Sequence, residues 1–148
     1  MKLKRVISQL FELSEELGAI RNSLQEASRV VTDHDELLNI YLSIKEIDII
    51  RITLLYEYEL LDTSAVVQTE HLSLYYDRRL EILLMTKEQI LGHYEELQGC
   101  SKHITYKEAL QGIYRAAEVI DSASRLLDDI TEMLDQHIMK QRSDKTMH

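Results

Sequence analysis

Residues 3–31, LKRVISQLFELSEELGAIRNSLQEASRVV, decide the fold class. Leu3, Val6, Leu10, Leu13, Leu17, Ile20, Leu24, Ala27 and Val31 recur in steps of three and four without a miss. Such steps hold apolar side chains on one narrow stripe of a 3.6-residue helix, the a/d seam of heptad packing. A helix of that span is about 45 Å long. A seam two positions wide suits neighbours that cross at a shallow angle, as in a bundle.

The stretch ends at Thr32-Asp33-His34-Asp35-Glu36. Asp33 can cap a following helix, with Glu36 at the capping-box position. The second segment, 34–61, differs in kind. Ile47, Ile49, Ile50, Ile52 and Leu55 go right round a helix at 100° per residue. A helix that is apolar on all sides is expected to be covered on all sides. Asp62-Thr63-Ser64 is the weakest boundary, with Thr63 or Ser64 as the N-cap of a third segment running to about residue 98. Gly99 suits a left-handed helix end, and Thr105-Tyr106-Lys107-Glu108 reads as a capping box. The fourth segment runs from Tyr106 to about Gln141. Its expected seam includes Ile113, Ile120, Leu127 and Leu134, with Ala117, Ser124 and Thr131 as small positions that admit a close neighbour. Four segments of similar length with short connections predict an all-α, antiparallel four-helix bundle with coiled-coil-like packing. One domain spans 1–141, with a flexible polar tail over 142–148.

Composition agrees. The 148 residues contain no proline and four glycines, and are rich in helix formers. The net charge of −9 disfavours nucleic acid and anionic membranes as partners. The acidity is concentrated: residues 33–62 carry eight acids against Lys45 and Arg51. No apolar run approaches the ~20 residues that span a bilayer, so no membrane insertion is expected. A lone cysteine, Cys100, and an N-terminus interrupted by Gln9, Glu12, Glu15 and Glu16 predict a cytoplasmic chain without a secretory leader.

The motifs of catalysis are thin. No histidine follows a glutamate by three residues, and there is no His-Glu-x-x-His, so neither a metal nor any other cofactor is expected. Glu12-x-x-Glu15 and Glu118-x-x-Asp121 have the spacing with which all-α nucleotide pyrophosphohydrolases hold Mg²⁺, and give the enzymatic alternative. Asp48 and Arg51 can pair along the second helix. With the turn near Thr63, Arg51 falls opposite Tyr75 and Tyr76 and beside Asp77, a polar cluster able to line a ligand cleft in a sensing bundle. The principal expectation is a non-enzymatic interaction module of adaptor or chaperone type. Its surface is expected at Ile47, Ile49, Ile50, Ile52, Leu55, Tyr56, Tyr58, Tyr75 and Tyr76. It is covered by a second copy of the chain, or by an amphipathic helix of a client protein.

Overall fold

In the computed structural model, residues 2–65 and 72–146 are described, and side chains are described for these apart from 2, 63–65, 72–77, 137–138 and 141–146. The chain is an all-α four-helix bundle: α1 (Lys2–Ser28), α2 (His34–Ala65), α3 (Leu72–Ser101) and α4 (Lys107–Thr146). Helix α1 packs against α2 and α4, α3 packs against the same two, and α2 meets α4 across the middle. The connections α1–α2 and α3–α4 therefore share one end of the bundle.

The seam read over 3–31 is the buried face of α1. Leu10, Leu17, Ile20 and Leu24 are wholly buried, and Leu3, Val6, Leu13 and Val31 pack at the margin. Helix α2 contributes one row to the core: Ile40, Ile44, Ile47, Ile50, Leu54 and Leu61. Leu83, Ile90 and Leu97 do the same for α3.

In α4 the buried row is Ala109, Ile113, Ala116, Ile120, Ala123, Leu127, Ile130 and Leu134, a heptad seam throughout. Its small members are thus Ala109, Ala116 and Ala123: the last two lie one residue before the expected Ala117 and Ser124, and Ile130 takes the place before Thr131. Ala117, Ser124 and Thr131 are only half-buried. Close approach of α1 and α4 is achieved at buried Gly112, where a Cβ would lie 3.3 Å from Cδ2 of Leu24.

Three boundaries differ from expectation. Thr63 and Ser64 lie inside α2 rather than capping α3, and the two helices are separate because they pack side by side. Helix α3 runs through Gly99 to Ser101, and no described residue has a positive φ. The core explains this: Cys100 and Ile104 are buried, so the chain must turn once more before it leaves. It does so tightly, His103 N–H donating to the Cys100 carbonyl at 3.1 Å and Ile104 N–H to that of Ser101 at 3.3 Å. Helix α4 continues to Thr146, past the expected end near Gln141.

Gly92 is exposed in α3, and a Cβ there would meet nothing within 4 Å. Gly92→Ala is expected to stabilise the chain by about 0.5–1 kcal/mol in urea unfolding, because a mid-helix glycine costs that much in backbone entropy. Gly112→Ala gains less or loses, since Leu24 must yield.

Candidate interaction face

Helix α2 bears most of the chain's acidic stretch, and the bundle gives each of its central acids a partner. Glu46, 8% exposed, takes a 2.6 Å contact from Nδ1 of His93 on α3. Asp48 accepts from Nε of Arg21 on α1 at 3.1 Å and from Nε of Arg51, one turn on, at 3.2 Å. Glu57 and Arg79 form a buried pair between α2 and α3, both Glu57 oxygens reached by Nη2 of Arg79. Burial pushes the Glu57 carboxyl up, while the Arg79 charge pulls it the other way. Nε of Arg79 is buried without a hydrogen-bond partner.

These pairs fix which way α2 faces, and so what it leaves outside. Its outer row is Leu38, Leu42, Lys45, Ile49, Ile52 and Tyr56, spaced by alternating steps of four and three. Leu38 and Ile52 are each 55% exposed and Tyr56 63%, with Tyr41 at 48% beside them. The row is a second a/d seam on one helix, turned to solvent, with Lys45 as its one charge. An open groove of about 370 Å³ adjoins it between α2 and α3, lined by Ile52, Thr53, Tyr56, Ile82, Met85 and Thr86 among others. Met85 is 59% exposed.

The expected surface residues therefore divide. Ile52 and Tyr56 lie on the outer face, and Ile49 is half-buried in the same row. Ile47 and Ile50 are wholly buried and belong to the core, so they cannot form a surface. Leu55 is half-buried, and Tyr58 packs on Phe11 of α1 with ring centroids 5.4 Å apart. The side chains of Tyr75, Tyr76 and Asp77 lie outside the described residues. Asp48 and Arg51 do pair, but their cluster faces α1, not α3: Arg51 packs over Gly18, and the adjoining cleft is lined by Glu15, Arg21 and Asn22. Within the described residues Arg51 is thus placed against α1, on the same side of α2 as Asp48 and Arg21.

The four carboxylates of the Mg²⁺ alternative do not converge. Glu12 lines a cleft between α1 and α4, Glu15 lines the one beside Arg51, and Asp121 is paired with Arg125 at 2.7 Å. Among the described residues no group of three or more His, Cys, Asp or Glu is placed to hold a metal ion. Cys100 is buried, and burial pushes its thiol up, away from the reactive thiolate. Among the described residues no helix is long and apolar enough to cross a membrane.

One polar site was half visible in the sequence. Asp33 caps α2 as expected, accepting from Glu36 N–H at 2.9 Å. Glu36 then reaches across to α4. Its Oε1 accepts from Thr105 N–H at 2.8 Å, the Thr105 hydroxyl at 3.1 Å and Tyr106 N–H at 2.6 Å. The donors at the start of α4 are thus met from α2, with the Thr105 hydroxyl turned to Glu36. The Tyr106 and Thr105 backbone bonds hold the Glu36 carboxyl below the ordinary glutamate range. Comparison with family models, with curated proteins and with solved structures finds no match to this chain.

Two measurements check these polar contacts. Arg79→Met alone leaves a buried carboxylate unpaired and is expected to cost about 3–5 kcal/mol in chemical denaturation, whereas Glu57→Met with Arg79→Met together returns most of it. Glu36→Gln is expected to cost about 0.5–1 kcal/mol at neutral pH, as for loss of an exposed cap. A carboxyl lowered by folding contributes stability above its unfolded pKa and loses it as pH falls through the folded value. The gap between wild type and Glu36→Gln should therefore close on acidification.

Proposed function

We propose that the chain is a non-enzymatic protein-interaction module of adaptor or chaperone type, working through the outer face of α2 and the adjoining edge of α3. One observation carries this reading: α2 has two apolar rows, and the bundle buries only one of them. The outer row sits on a chain of net charge −9, yet carries Lys45 alone, because Glu46, Asp48 and Glu57 are turned onto His93, Arg21 and Arg79 inside the monomer. A contiguous apolar strip of this kind marks a surface that meets another macromolecule. Its tyrosines suit such a face, since each offers a large dry ring and one wet end. A lone buried thiol fits a reducing, cytoplasmic setting.

The test is association. Ile52 and Tyr56 are more than half exposed, so Ile52→Lys with Tyr56→Lys should leave helix content and melting midpoint nearly unchanged. In sedimentation velocity the wild type is expected to run heavier than its 17.3 kDa monomer, by itself or with a partner from its host. The double variant should bind at least about tenfold more weakly, the effect of losing a central anchor. Unchanged association would remove the face from the reading.

A further inference from the structure

We propose that a second copy of this chain covers the face, with α2 packed antiparallel on α2 about a two-fold axis that passes between Ile49 and Ile52. This rests on the interaction reading above and names its partner.

Charge and area select the occupant. A basic amphipathic helix would need acids along the outer row, and the central acids of α2 are already held by Arg21, Arg51, Arg79 and His93. Along α2 itself, between Leu38 and Tyr56, a second copy meets no exposed acid, and the acids that flank the face, Glu81 and Glu88, lie on the α3 edge. The strip from Leu38 to Tyr56 is about 27 Å long, and α2 with the α3 edge is about 20 Å wide. A single docked helix is about half that width. A second two-helix face covers the whole, roughly 540 Å² in projection, and so comes nearer than a single helix to the ~800 Å² per partner of a standard interface.

Lys45 selects the register. Antiparallel seams set an a position against a d position, which leaves two arrangements over this strip. With the axis near residue 47, Lys45 faces Ile49 of the second copy, and the two lysines lie within about 6 Å along the axis, at the dry centre. Two close ammonium groups there repel strongly. With the axis between Ile49 and Ile52, these two residues fill the centre in both directions. The lysines move about 16 Å apart, and each lies over Tyr56 of the other copy, a favourable cation–π placement. A parallel pair would set Lys45 directly against Lys45.

Cysteine cross-linking on the full chain reads the arrangement. Leu42→Cys and Glu59→Cys preparations are mixed and oxidised with copper–phenanthroline, wild type with its buried Cys100 serving as control. The expected result is a cross-linked dimer from the mixture and from neither variant alone, because like residues then lie about 25 Å apart across the axis. Lys45→Leu should relax this choice and add other pairs. Self-cross-linking of Leu42→Cys would mean a parallel dimer, and cross-linking of Leu42→Cys with Ile52→Cys in place of Glu59→Cys the other register. Either overturns the proposal. A monomer in sedimentation also overturns it. If Ile52→Lys then still releases a partner recovered from the host, the interaction reading survives, and if no partner depends on the face, both readings fall.

Discussion

The rotation of α2 about its own axis is the constraint on which the rest of this structure depends. Apolar residues alone do not determine it, since Ile49 and Ile52 fit a core as well as Ile47 and Ile50 do. The ion pairs decide. Arg21 draws Asp48 toward α1, while His93 and Arg79 draw Glu46 and Glu57 toward α3. Turning α2 by one residue would part Glu46 and Glu57 from their partners on α3, while Asp48 would keep Arg51 and lose Arg21, and an unpaired buried charge costs far more than a misplaced isoleucine. Polar contacts supply specificity here and apolar contacts supply stability. A buried pair of this kind adds little net stability, because desolvation offsets its attraction, but it excludes the rotated alternatives.

Legibility followed from this division. Helices α1 and α4 each carry one apolar stripe, and a single stripe can be read from spacing because only one rotation buries it. The caps at Asp33 and the clustering of acids in α2 were also readable locally. The outer face of α2 was readable as an excess, and Ile52 and Tyr56 were found in it. Its membership was not, because separating Ile49 from Ile50 needs the partners of Glu46 and Glu57, which come from α3. Arg79 and His93 had no local signal: each is an ordinary polar residue until a helix from elsewhere in the chain lies beside it. Gly99 misled because its own preference for a helix end was outweighed by burial of Cys100 and Ile104.

The orphaned Nε of Arg79 fits the same account. Its guanidinium meets Glu57 through Nη2 only, so one donor is left dry beneath the α2–α3 groove. Covering that groove with apolar surface keeps water from the pair and strengthens it, since the attraction grows as the local dielectric falls.

The reach of Glu36 to Thr105 and Tyr106 has a consequence for how the molecule opens. Helices ordinarily fray from their ends independently, each releasing its own cap. Here the two residues that lead into α4 are held by a side chain of α2, across 69 residues of chain. Neither helix start can loosen without releasing the other, so that end of the bundle opens as one cooperative unit. Order at the beginning of α4 is accordingly not a property of its own residues. A peptide of α4 alone would lack it, and in the folding chain it arrives only once α2 is docked, late among the contacts because so much sequence separates its two halves.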